Sequence, residues 1–116
     1  MFNVEVNNRG SGMYLYLCPP SFINGGSCYG QTGSTYYIPV GTWTHLEAHY
    51  VGSGLATGRV TIWEDGHQLF DIANVQTRYA NGDLEWSVNN YSNGLAPSPA
   101  TIYIDDVKIC QGGRCP

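Results

Sequence analysis

Apolar and polar positions alternate with a period of two along much of the chain. The clearest instance runs from Arg59 to Ile72, RVTIWEDGHQLFDI. Asp65-Gly66 stands between two alternating runs, the pattern of a two-residue hairpin turn whose central residues both take φ > 0. Such a turn sets Glu64 opposite His67, Ile62 opposite Leu69 and Thr61 opposite Phe70. Val60, Ile62 and Leu69 then share one face, and Trp63, Phe70 and Ile72 share the other. Both faces are apolar, and an isolated hairpin is barely stable in water. The ribbon therefore belongs in a larger sheet, with at least one face packed on a second layer.

The same period predicts further strands. Residues 3–7 (NVEVN) and 13–18 (MYLYLC) alternate, with Met13, Leu15 and Leu17 on one face of the second and Tyr14 and Tyr16 on the other. Residues 19–34, rich in Pro and Gly, read as loop. Residues 35–40 (TYYIPV) read as a short strand that Pro39 confines to an edge or an end. Residues 43–51 (WTHLEAHYV) place Leu46, Ala48 and Tyr50 on one face and Trp43, His45, Glu47 and His49 on the other. Residues 84–91 turn Leu84, Trp86 and Val88 inward, and Trp86 and Tyr50 are expected in the core. In the last strand, residues 101–110, Ile102 and Ile104 have one parity and Val107 and Ile109 the other. A bulge at Asp105-Asp106 would bring all four to one side. No stretch shows a helical period. Roughly seven to ten short strands separated by turns predict an all-β antiparallel sandwich or barrel. Residues 1–110 read as one domain, and residues 111–116 as a tail or the start of a linker.

Composition agrees with strands and turns. Of 116 residues only 12% are charged, with 15 Gly, 9 Tyr and 3 Trp. The five cations, Arg9, Arg59, Arg78, Lys108 and Arg114, are scattered in a chain of net charge −4. That distribution is a poor match to nucleic acid, whose binding needs clustered positive charge. No apolar run approaches the length of a membrane span. The first thirty or so residues lack the pattern of a signal peptide.

Four cysteines allow three pairings. The two local ones, Cys18-Cys28 and Cys110-Cys115, are expected, because each closes a small loop whose glycines let the chain turn. Zinc is the rival reading, but the spacings lack the usual two-residue gap. Disulfides imply an oxidising, extracellular setting.

Three pieces in order then resemble a known group. WTHLEAHY resembles the W-x-H-[VL]-x-[VA]-x-Y strand of laminin-G-like domains, RVTIWEDGHQLFD resembles the hairpin that follows it, and IYIDDVKI resembles the closing strand, written I-D-D-V. Together, over about residues 41–110, they are similar to the concanavalin A-like lectin and glucanase superfamily, which includes laminin-G-like modules and jelly-roll polysaccharide lyases. The resemblance implies a jelly-roll β-sandwich. Such domains run nearer two hundred residues, so this chain is a compact version, a truncated fragment, or one that completes its sheets by pairing with another copy.

The candidate sites follow from residue chemistry. Sugar recognition sets flat aromatic faces against the apolar side of a pyranose, with amides and carboxylates taking its hydroxyls. Tyr14, Tyr16, Trp63 and Tyr91, with Gln68, Glu47 and Asn89, are the candidate glycan-binding residues of a concave sheet. His45, Glu47 and His49, at alternate positions, point the same way and could meet a metal or form a proton-transfer pair. The plainer reading is a solvent-facing strand, and a histidine at the position of His45 recurs in laminin-G-like domains that are not enzymes. Asp105 and Asp106 are candidate calcium ligands, as the resemblance to carbohydrate-binding modules implies, or a hydrogen-bonded bulge without metal. Catalysis has little behind it: the E-x-D-x-x-E strand of retaining glycanases and the Q-x-H strand of the lyases are both absent. His45 and His49 are the remaining catalytic candidates. Asn90-Tyr91-Ser92 is a glycosylation sequon. Three functions remain: non-catalytic glycan binding by a module of a larger extracellular protein, a fragment of a polysaccharide lyase or glycanase, and a structural or adhesive subunit that self-associates by strand pairing.

Overall fold

The computed structural model describes residues 2–8, 12–31, 38–82, 87–88, 94, 101–113 and 115. The chain divides into two units, Met1–Asp83 and Leu84–Pro116.

The first unit holds two antiparallel three-stranded sheets and no α-helix among the described residues. Strands β1 (Asn3–Asn8), β2 (Met13–Cys18) and β3 (Tyr29–Gly30) form one sheet, in that order. Strands β4 (Leu46–Val51), β5 (Gly58–Glu64) and β6 (His67–Val75) form the other. The inward residues of the two sheets share one apolar core: Leu15 and Leu17 of β2 with Val60 and Ile62 of β5 and Phe70 of β6. Leu15 and Leu17 are completely buried. Phe2, Tyr29, Ile38, Leu69 and Ile72 pack around them. At roughly 25 cal/mol per Å² of apolar surface removed from water, two fully buried leucines contribute a few kcal/mol.

Strand β3 was not expected, because two residues are too few to show a period. It is held from both ends. Cys28, just before it, is disulfide-bonded to Cys18 at the end of β2. Gln31, just after it, bonds Leu15 twice: its backbone N–H donates to the Leu15 carbonyl at 3.2 Å, and its side-chain Oε1 accepts from the Leu15 N–H at 3.1 Å. Of the strand expected over 35–40, residues 35–37 lie outside the described residues; Ile38 makes an isolated antiparallel bridge to Met13.

The hairpin turn forms as expected. Asp65 and Gly66 have φ of 46° and 81°, and Glu64 pairs with His67. Beyond that pair the register departs from the sequence reading. Trp63 pairs with Gln68, but Ile62 pairs with Phe70 and Thr61 with Asp71. Leu69 is an extra residue on β6, a β-bulge. A second shift separates the Gly58–Val75 and Arg59–Ala73 pairs, and the extra residue there, Asn74, has φ 58°. Asparagine is among the few residues that take this left-handed conformation at modest cost.

Tyr50 corrects another expectation. It lies at the rim rather than in the core, 37% exposed, with its ring edge against Phe2 and its hydroxyl donating to the Thr77 carbonyl. Trp86 lies outside the described residues. In the second unit the strand expected over residues 101–110 is absent. Those residues have no ladder partner among the described residues, and Ile102, Ile104, Val107 and Ile109 are each more than half exposed. Val88, expected inward, is also exposed. Cys110 and Cys115 are disulfide-bonded as expected.

Candidate functional site

The bulge at Leu69 decides what the outer face of β4–β6 carries. An unbroken ladder from a two-residue turn would set Asp71 opposite Val60, on the buried side, and would turn Phe70 and Ile72 outward with Trp63. One extra residue reverses both. Leu69 and Phe70 both reach the core, Ile72 packs beside them, and Asp71 turns outward to meet Thr61. Trp63 is left as the large aromatic side chain of a face whose other strand residues are polar apart from Val51 and Ala73.

The register arranges that face in transverse rows. Trp63 of β5 stands between Glu47 of β4 and Gln68 of β6 in one row. His49, Thr61 and Asp71 form the next, and Val51, Arg59 and Ala73 the third. Directly opposed side chains in antiparallel strands have Cβ atoms about 5 Å apart. Glu47 and Gln68 therefore flank the indole of Trp63, which is itself only partly exposed. Three of the residues proposed from sequence chemistry for sugar contact thus stand side by side.

The next two rows hold an ion pair. Arg59 Nε donates to Asp71 Oδ1 at 2.6 Å and Arg59 Nη2 to Asp71 Oδ2 at 2.5 Å, while Thr61 Oγ1 donates to Asp71 Oδ1 at 3.2 Å. The hydrogen bond from the Arg59 guanidinium is the largest of the effects that hold the Asp71 carboxyl below the usual carboxylate range. The same bond raises the guanidinium in turn. Sequence reasoning missed Arg59 and Asp71 as a pair because only the bulge brings them to the same face.

On the core side of the same sheet, Glu64 is buried, 4% exposed, and its Oε2 has no hydrogen-bond partner. Burial, with a smaller contribution from Asp65, pushes its carboxyl above the ordinary value, against a lowering by His67.

The other sequence candidates do not gather at this face. Tyr14 and Tyr16 lie on β2, paired with Asn7 and Glu5 on the side away from the shared core, so they belong to the outer face of the other sheet. His45 precedes β4. Its backbone is clasped to Asp65, with the His45 N–H donating to Asp65 Oδ1 and the Asp65 N–H donating to the His45 carbonyl, both at 2.9 Å. Trp43 is 70% exposed. Asn89 and Tyr91 lie outside the described residues. Asp105 and Asp106 are exposed, and the Asp106 N–H donates to Asp105 Oδ1 at 2.8 Å.

Among the described residues, the trio whose ligand atoms lie close enough for one metal ion is Glu5, Cys18 and Cys28. It includes neither the histidines nor the adjacent aspartates, and its two sulfurs are already joined in a disulfide. No helix among the described residues is long and apolar enough to cross a membrane. No protein-family model matches the chain, and no curated protein or solved structure matches it.

Proposed function

We propose that the first unit binds carbohydrate through the outer face of β4–β6, with Trp63 as the stacking platform. The observation that carries this reading is the row Glu47–Trp63–Gln68: one indole set between a carboxylate and an amide on three paired strands. The chemistry suits a pyranose. The apolar C–H side of the ring covers the indole, the Glu47 carboxylate accepts hydroxyl protons, and the Gln68 amide both donates and accepts. All three side chains rise from paired strands, so little order has to be created on binding, which limits the entropic cost. The two disulfides suit an extracellular setting. Two antiparallel sheets around one core suit the jelly-roll β-sandwich that the sequence resemblance implies.

A glycan array followed by titration of intrinsic fluorescence tests the reading. Trp63→Ala is expected to weaken binding by roughly tenfold or more, the loss of about 1.4 kcal/mol or more of ring contact. Binding by the variant as tight as by the parent chain would overturn the proposal.

A second reading has its own support. The alternating apolar residues of the 101–110 segment are exposed and have no ladder partner among the described residues. Such a segment is the donor in strand addition between copies of a self-associating subunit. Concentration-dependent light scattering, compared with that of Ile104→Lys, distinguishes assembly from a monomeric binding module.

A further inference from the structure

We propose that Glu5, Cys18 and Cys28 bind one zinc ion when the Cys18–Cys28 disulfide is opened to two thiols, so that disulfide and metal are alternative fastenings of the same place in the fold. The inference is independent of the sugar-binding reading, since it concerns the β1–β3 sheet and not the Trp63 face.

The register brings the three residues together. Asn3 of β1 pairs with Cys18 at the end of β2, and Glu5 pairs with Tyr16. Glu5 is therefore the diagonal neighbour of Cys18 on the same face, a separation that a long side chain spans. Cys28 directly precedes Tyr29, which pairs with Leu17, so β3 delivers the second sulfur from the other flank of β2. One carboxylate oxygen and the two sulfurs all lie within 4.8 Å of one another. Zinc holds sulfur at about 2.3 Å and carboxylate oxygen at about 2.0–2.2 Å, so ligand atoms at the corners of its tetrahedron stand roughly 3.5 Å apart.

The donor set selects the metal. Two thiolates and a carboxylate suit Zn²⁺, which takes both sulfur and oxygen, whereas calcium and magnesium take oxygen. Cys18 is only 7% exposed, while Glu5 and Cys28 are exposed. The ion thus has a path from solvent, and water completes the tetrahedron. The Glu5 carboxylate by itself opposes ionisation of the thiols beside it. Zn²⁺ supplies the charge that lets a carboxylate and two thiolates share one place.

The exchange balances. A dithiol reductant passes two electrons and two protons to the Cys18–Cys28 bond and becomes a disulfide itself, leaving two protein thiols. Zn²⁺ then takes both as thiolates and two protons go to solvent.

The test uses the full-length chain carrying Cys110→Ser and Cys115→Ser, so that its thiols are those of Cys18 and Cys28. The chain is reduced with a phosphine, which water converts to the phosphine oxide, and the phosphine is removed without air. Zn²⁺ affinity is read by competition with a chromogenic chelator, and Co²⁺ by the absorption of thiolate-bound tetrahedral cobalt. One ion per reduced chain is expected, with release of about two protons at neutral pH. The oxidised chain is expected to bind at least roughly a hundredfold more weakly, because two of the three ligands are withdrawn. Glu5→Gln is expected to weaken zinc by at least roughly tenfold, since even an outer-shell partner is worth that much. If reduction melts the strands, zinc is expected to restore the circular dichroism of the oxidised chain, because binding is then tied to folding.

No uptake by the reduced chain would overturn the proposal. Equal affinity in Glu5→Gln would overturn it as well, by showing a loose cysteine pair rather than a site built by the sheet. Equal affinity in the oxidised chain would show that the sulfurs are not the ligands.

Discussion

Thr77 is the point on which the β4–β5 connection and the segment after β6 are joined, and replacing its hydroxyl is the sharpest structural test. Thr77 is 3% exposed. Its Oγ1 donates to the Val51 carbonyl at 2.8 Å and accepts from the Ser53 N–H at 2.7 Å. The Thr77 and Arg78 N–H groups both donate to the Ser53 carbonyl, at 2.9 and 3.0 Å. Thr77→Val keeps the shape and removes the hydroxyl, leaving the Ser53 N–H and one bond to the Val51 carbonyl unmade. An orphaned buried polar group costs about 1–3 kcal/mol. Two such groups, one of them partly re-solvated at the sheet edge, give a loss of about 2–4 kcal/mol. For a unit of this size each kcal/mol lowers Tm by about 4–8 °C, so a fall of roughly 8–30 °C is expected. Thr77→Ser keeps both bonds and gives up one methyl group, about 1 kcal/mol. Thermal unfolding followed by circular dichroism, with urea titration to check that the slope is unchanged, measures both variants. If Thr77→Val proves as stable as Thr77→Ser, the hydroxyl is not the joint and the reasoning fails.

Gly58 sits against the same residue. A Cβ there would lie 2.5 Å from Thr77 Oγ1 and 2.7 Å from the Val75 carbonyl oxygen. Gly58→Ala should therefore cost about 1–3 kcal/mol by overpacking, and less on top of Thr77→Ala than alone, as a double-mutant cycle would show. Glu64 and Asp71 should act in opposite pH windows. The folded-state carboxyl of Glu64 is raised, so the native state holds its proton more tightly and stability falls as pH rises from the unfolded value through the raised one. Glu64→Gln should flatten that fall and raise Tm at neutral pH. The Asp71 carboxyl is lowered, so its contribution is present above the ordinary carboxylate value and is lost as pH falls through the lowered one. Asp71→Asn should remove that acid-side loss in a Tm–pH series. Tyr16→Ala, on the other sheet, should leave glycan affinity unchanged in the titration that Trp63→Ala impairs.

The parts of the fold that read directly from the sequence are those fixed by local chemistry. Asp65-Gly66 needs only two residues able to take positive φ, and both do so. Leu15 and Leu17 need only alternate parity to become the centre of the core. The two disulfides form between the nearest cysteines. The bulges did not read through, because a single inserted residue leaves the composition of β6 unchanged while reversing the parity of everything beyond it. That reversal accounts for Phe70, Ile72 and Asp71 together. Asn74 alone carries a mark, since asparagine tolerates the left-handed conformation that its bulge requires. Residues 101–110 show the opposite limit. Their alternation is that of a strand, yet a strand is defined by its partner, and none of these residues has one among the described residues. In the candidate site, Glu47, Trp63 and Gln68 were picked out by side-chain chemistry alone, and it is the structure's pairing that sets them in one row.

The central claim is that a sugar lies on the Trp63 indole between Glu47 and Gln68. The most direct measurement is a two-dimensional amide and indole NMR titration with the best oligosaccharide from the array. The chain has three tryptophans and so three indole N–H signals, which Trp63→Phe assigns. The account predicts that the Trp63 indole and the amides of residues 47 and 68 shift together with one dissociation constant, while those of Tyr14 and Tyr16 stay in place. Shifts confined to Tyr14 and Tyr16, or no shift at Trp63 at saturating sugar, would contradict it.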